Sequence, residues 1–129
     1  MGNPFEDQKK FMQASDQTCS DKVLDKKQYS MYLDLVEEEF DELEAWRIQK
    51  DYTEQLDALI DIIVVATGAI HSMGIDPQEA WDEVIKTNLA KIDPATGKVK
   101  KRADGKVLKP EGWKPPNLSK LTTHLTEDK

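Results

Sequence analysis

Between Tyr52 and Ser72 the chain carries apolar residues on nearly every side of a helix. Leu56, Leu59, Ile60, Ile62, Ile63, Val64, Val65, Ala66 and Ile70 spread around the axis at about 100° per residue. A helix that is apolar all round belongs at a centre, covered on every side. One stripe breaks this rule. Glu54, Asp57 and Asp61 stand at i, i+3 and i+7 and share a face that continues into Gly68. Ionised carboxylates on a covered face cost several kcal/mol unless they are paired or bound to a cation.

The stretch before it repeats the conflict. The spacing predicts a helix from Lys26 to Gln49, closed by Trp46 and Arg47. Tyr32, Leu33, Leu35, Val36, Phe40, Leu43 and Trp46 gather into one apolar arc. Glu39 projects into the middle of that arc, Glu42 sits at its edge, and Glu38 lies just past the same edge. Glu37, Asp41 and Glu44 face water. Two helices that both place acids on a covered side repel each other unless cations stand between them. Carboxylate sites with no Cys or His cluster suit Mg²⁺, or Mn²⁺.

At 129 residues the chain suits one domain with a real core. Residues 1–93 read as a helical bundle, and residues 94–129 as a C-terminal hairpin and extended arm of the same domain. Hydrophobic residues make up 38% and charged residues 33%, and the net charge is -7. That charge argues against a broad nucleic-acid face. It does not exclude mononucleotides, since a bound metal reverses the local sign. The run Ile60–Ala66 is too short to span a bilayer. No charged-then-apolar leader opens the chain. The single Cys19 reads as an inert thiol, and the chain fits a reducing cytoplasm.

The remaining elements follow in order. Pro4–Ala14 reads as a short first helix, with Gln13 and Gln17 fitting either surface or site. Lys50-Asp51-Tyr52-Thr53 breaks the long helices, Thr53 being a cap candidate, and Gly74 stops the second of them. Asp76-Pro77-Gln78-Glu79 starts a fourth helix that runs to about Lys91. Trp81, Val84, Ile85, Leu89 and Ile92 form its apolar face, with Asn88 in the middle and Lys91 flanking it. His71 reads as a hydrogen-bonded structural histidine. Asp104-Gly105 between two short alternating runs predicts a small hairpin. The lysine-rich segment Lys98–Lys109 is the natural place for this acidic chain to meet phosphate. Lys109 to Pro116 reads as an extended arm anchored by Trp113, and Ser119–Lys129 as a frayed polar tail, where His124 says nothing.

These segments resemble the MazG-like, all-α nucleoside triphosphate pyrophosphohydrolases. Leu35-Val36-Glu37-Glu38-Glu39-Phe40-Asp41-Glu42-Leu43 resembles their EExxE motif, and Asp61-Ile62-Ile63-Val64-Val65 the segment with their second acidic motif. Ala80-Trp81-Asp82-Glu83-Val84 with Thr87-Asn88-Leu89-Ala90-Lys91 resembles the last bundle helix. The stretch from Asp104 to Trp113 resembles the phosphoribosyl-ATP pyrophosphohydrolase-like branch. The likeness covers roughly Phe5 to Leu118, and four motifs in order are more specific than any one. The chain departs from the second motif, ExxD. With Asp61 as its Asp, the Glu position holds Ala58. Glu54-Gln55-Leu56-Asp57 has the right spacing but a poorer following sequence, so Asp57 stands as the replacement acid one turn earlier.

The resemblance implies an all-α four-helix bundle with an irregular C-terminal arm. It implies hydrolysis of a nucleoside triphosphate between the α and β phosphates, giving monophosphate and pyrophosphate. Glu38, Glu39, Glu42, Asp61 and Asp57 would hold Mg²⁺ or Mn²⁺, with Glu38 or Glu39 as the base. Asn88, Lys91 and Gln17 would contact the substrate, Asn88 and Lys91 at phosphate or sugar, with base contacts from the first helix and a partner chain. A homodimer or dimer of dimers in the cytoplasm is implied, with no membrane and no nucleic-acid polymer as partner. The competing expectation is a non-enzymatic, oligomeric helical adaptor or nucleotide-sensing module whose acids are structural.

Overall fold

The structure is a computed structural model that describes residues 2–125. It is all-α in the expected four-helix manner, with a two-stranded sheet and short 3-10 turns after the helices. The helices are α1 (Pro4–Ala14), α2 (Lys26–Ile48), α3 (Tyr52–Ser72) and α4 (Pro77–Leu89). The chain divides into two compact units. One comprises residues 2–77 with 124–125, and the other Gln78–Thr123.

In the first unit each helix is punctuated by its own sequence. Asn3 caps α1 by accepting from Glu6 N–H at 2.9 Å, with Pro4 at the first helical position. Asp25 caps α2 by accepting from Gln28 N–H at 3.1 Å. Asp51, and not Thr53, caps α3, accepting from Glu54 N–H at 3.1 Å. The helix starts one residue before Thr53, because an aspartate reaches the exposed N–H groups as well as a threonine does. Three helices end in the same Schellman turn, where a left-handed residue lets two N–H groups return to the last turn. After α1 it is Asp16 (φ 58), after α2 Lys50 (φ 59), and after α3 Gly74 (φ 74). The α2 turn is closed by Lys50 N–H to Arg47 O and Asp51 N–H to Trp46 O, both at 3.1 Å.

α3 packs against α2 and, less extensively, against α1. The core between them is Met12, Tyr32, Val65 and Ala69, flanked by Cys19, Tyr29, Leu35 and Val36. At Gly68 the Tyr32 ring of α2 lies directly against the α3 backbone. A Cβ there would stand 2.6 Å from Tyr32 Cδ1, so the glycine makes room for the ring. The Tyr32 hydroxyl, at the buried end of that ring, accepts from Gln8 Nε2 at 3.4 Å and donates to Gln17 Oε1. Gln28 braces the start of α2. Its Nε2 donates to Thr18 O at 2.7 Å and to Ser72 Oγ at 2.8 Å, and its Oε1 accepts from Thr18 N–H. His71 is buried and bonds Phe5 O through Nε2 at 3.0 Å, the structural role expected of it. Cys19 keeps its proton: burial raises its pKa, and its Sγ faces Met12 Sδ at 4.0 Å.

Full coverage of α3, as its sequence suggests, is not reached within one chain. Ala58, Val65 and Ala69 are buried, but Leu56, Leu59, Ile60 and Ile63 stand on the outside, with Leu56 62% and Ile60 51% exposed. The same holds for Leu33 and Phe40 on α2. Length and composition alone would let α3 cross a bilayer, although its apolar core run is short; core helices of water-soluble proteins also meet that test.

The second unit corrects more of the sequence reading. α4 ends at Leu89, not near Lys91, and the chain turns at once into a hairpin that pairs Ile92 with Val99 and Asp93 with Lys98. No Asn-Gly or Asp-Gly announces it. The turn uses Gly97 at φ 70 with Gly97 N–H on Asp93 O at 2.7 Å. The expected Asp104-Gly105 turn does form, but its pairing is reduced to one bridge, Lys101 with Val107. Asn88 is exposed rather than central to a covered face, and its Oδ1 accepts from Lys91 Nζ at 3.3 Å. Trp81 and Leu89 of the same predicted face are exposed as well. Trp113 anchors the arm as expected, donating from Nε1 to Thr87 O at 2.7 Å. The tail is ordered through Leu125 in two 3-10 turns, Ser119–Leu121 and Thr123–Leu125. His124 takes part in this, bonding Met73 O at 2.7 Å and closing a carbonyl at the end of α3. The expected fraying of residues 126–129 lies outside the described residues.

Candidate functional site

The acids of α2 and α3 meet, and Glu39 is where they meet. Its Oε2 is buried and has no hydrogen-bond partner. A buried acceptor left alone is rare in folded chains and calls for an explanation, an ion among them. The surroundings raise the cost. Burial and the charges of Glu42, Asp61 and Asp57 push the Glu39 carboxyl up to about 7. Asp61 is half-buried and is pushed up in the same direction by burial, then by Asp57 and Glu42. Among the described residues, none of Glu39, Glu42, Asp57 or Asp61 lies within ion-pair distance of a lysine or arginine. Among the described residues, Glu54 forms no ion pair with a lysine or arginine either.

The sequence-predicted residues separate by place. Glu39, Glu42, Asp57 and Asp61 form one electrostatic cluster. Glu38 is exposed, on the outer side of the same turn. Ala58, at the Glu position of the second acidic motif, is buried at 3% exposure, and a small apolar side chain fills that place. Asp57 is exposed one residue earlier, and its charge still reaches both Glu39 and Asp61. As the side chains stand, no three acidic, His or Cys groups among the described residues already form a metal shell. The donor set nonetheless fits a hard divalent cation: all oxygen, mutually repelling, with one buried oxygen unsatisfied. Gln17 sits at the end of α1, held by Tyr32. Asn88 and Lys91 belong to the second unit, bonded to each other, with Lys91 Nζ 5.1 Å from the Trp113 ring centre. Tyr32 had no functional signal in the sequence beyond its place in an apolar arc, and Lys109 beside Trp113 had only its membership of a basic run.

The raised carboxyls make a prediction about stability. Glu39 has an ordinary value of 4.5 and a folded value of about 7. Between those two, the folded chain holds a proton that the unfolded chain has released. By linkage, stability therefore falls as pH rises through this window and levels off above it. Asp61 acts with the same sign. Glu39 retains some solvent contact, so the expected loss is about 1 kcal/mol, or about 3 °C in melting temperature. Thermal melts in chelator across that window should show the decline in the parent chain and a flatter curve in Glu39→Gln. Parallel curves for the two would mean that Glu39 is not the group concerned.

The chain belongs to the phosphoribosyl-ATP pyrophosphohydrolase family, whose model matches residues 6–88. That match runs from Glu6 in α1 through α2 and α3 to Asn88 in α4, so the acidic cluster lies inside it and the C-terminal arm outside. No curated protein matches the chain significantly. Membership makes this chain a nucleotide pyrophosphohydrolase in the general sense.

Proposed function

We propose that the chain is a metal-dependent nucleoside triphosphate pyrophosphohydrolase that cleaves a (d)NTP between the α and β phosphates. The observation that carries this reading is the orphaned, buried Glu39 Oε2 among the like charges of Glu42, Asp57 and Asp61. Glu39, Glu42, Asp61 and Asp57 would hold Mg²⁺ or Mn²⁺, with Glu38 reaching in from the exposed side of the turn. A cation held there would supply charge neutralisation at the phosphate oxygens. Glu38 or Glu39 would take the proton of the attacking water. Asn88, Lys91 and Gln17 contact the substrate, Lys91 as a point charge on phosphate. Phosphoribosyl-ATP, which the family's description names, is the alternative substrate within the same class.

The working unit is a homodimer or dimer of dimers in the cytoplasm, in solution. Leu56, Leu59, Ile60 and Ile63 recur at i, i+3, i+4 and i+7, an exposed apolar stripe of the kind that a second copy covers. Sedimentation equilibrium should give a multiple of the chain mass, and Leu59→Glu with Ile63→Glu should return it to monomer. A monomeric parent chain would refute this assembly. The activity is tested by a pyrophosphate-release screen over all NTPs and dNTPs with Mg²⁺, Mn²⁺ or chelator. Metal-dependent release from at least one is expected. Release from none would favour the non-enzymatic adaptor.

A further inference from the structure

The C-terminal arm lies outside the family match and builds a basic cavity of its own. Lys91, Lys100 and Lys109 stand around a cavity of about 290 Å³ whose floor includes Ile92, Pro94 and Leu108. All of these belong to the unit Gln78–Thr123. Lys91 Nζ and Lys109 Nζ lie 5.1 and 5.0 Å from the centre of the same Trp113 ring. That ring is fixed, because its Nε1–H is spent on Thr87 O. Each ammonium makes a cation–π contact with that ring.

Nearby cations are neutralised differently. Lys86 and Lys120 both pair with Glu83, and Arg102 pairs with Asp104. Lys91, Lys100 and Lys109 have no carboxylate within ion-pair distance among the described residues. Asp93 and Glu111 also reach the lining, but Asp93 Oδ1 is engaged by Ala95 N–H at 2.9 Å.

We propose that this cavity is an anion site for a diphosphate group, with Lys91, Lys100 and Lys109 as its ligands and the Trp113 ring as the platform that gathers two of them. Compact ammonium charges suit phosphate oxygens. The volume is near the small end of ligand sites, enough for a phosphate chain and little more. The group can be free pyrophosphate or the phosphate chain of a nucleotide. The site goes beyond the acidic cluster and does not require that cluster to be hydrolytic.

The test is calorimetric titration of the full chain with inorganic pyrophosphate and with ATP, both in chelator. Without metal the acidic cluster repels phosphate, so binding reports the lysines, and failure of the hydrolytic reading leaves the result untouched. Binding of at least one probe is expected, and the tighter one identifies the source. The exposed double variant Lys100→Gln with Lys109→Gln should weaken it by about tenfold or more. Lys106→Gln, on the same arm but away from the lining, should change it less than twofold. No binding of either probe at millimolar concentration overturns the proposal. So does a Lys106→Gln loss equal to that of the double variant, which would mean diffuse attraction.

Discussion

Glu39→Gln is expected to lower pyrophosphate release by about 10²-fold or more while leaving the fold at least as stable. Both halves of this result come from one arrangement. The Glu39 carboxyl is buried at Oε2, has no partner there, and stands in the field of Glu42, Asp61 and Asp57. Glutamine keeps the shape and removes the charge, so the repulsion that pushes the carboxyl up to about 7 disappears. The carboxylate that would hold the cation and take the proton disappears with it. A carboxylate held in a buried ion pair would behave oppositely, since removing one member of such a pair destabilises by about 3–5 kcal/mol. Glu37→Gln, a neighbour exposed to water, should leave release and melting temperature unchanged. The measurement is the initial rate of metal-dependent release on the best substrate of the screen, alongside a thermal melt. Release by Glu39→Gln within tenfold of the parent rate would remove Glu39 from the reaction. A more stable variant of a parent that releases nothing would leave the acids a structural or sensing role.

The helices and the central acid were legible because they rest on periodic signals. Glu39 within an apolar arc and Asp61 within an apolar helix are contradictions that a wheel exposes, and the structure resolves both as burial with repulsion. Glu38 was harder to place, since adjacent residues on a helix differ by about 100° and only one of two neighbouring glutamates can face inward. The missed features depend on partners that no local pattern encodes. Tyr32 reads as one apolar residue among many, yet it is the ring that Gly68 accommodates and the hydroxyl that links Gln8 with Gln17. The hairpin of Ile92–Asp93 with Lys98–Val99 is two residues to a strand, too short for alternation to show. The exposure of Leu56 and Ile60 agrees with a helix apolar all round in a bundle too short to cover it on every side. Apolar periodicity reports that a face must be covered and is silent about which chain covers it.

Gly74→Ala is expected to cost about 3 kcal/mol or more, a large part of the about 5–15 kcal/mol that holds a domain of this size together. Left-handed backbone is not the main reason. Asp16 and Lys50 occupy the same position of the same turn after α1 and α2, at φ 58 and 59, so this chain tolerates side chains there. The difference is what stands opposite. A Cβ on Gly74 would meet the backbone of Val23, with its carbonyl carbon at 2.8 Å and its oxygen at 2.5 Å. Backbone cannot rotate away as a side chain can. This stretch is also tied down, by Lys22 N–H on Gly74 O at 2.7 Å and by Asp25 N–H on Ser72 O at 2.9 Å. To admit the methyl, the segment must break these bonds and shift the residue that caps α2. Gln28 would lose its hold on Ser72, and the register that brings Glu39 into the field of Asp61 would loosen with it. Melting followed by circular dichroism should show a drop of about 10 °C for Gly74→Ala. Asp16→Gly and Lys50→Gly should each move it by only about 2 °C. A Gly74→Ala shift as small as theirs would mean that the approach of Val23 is not what demands glycine at the end of α3.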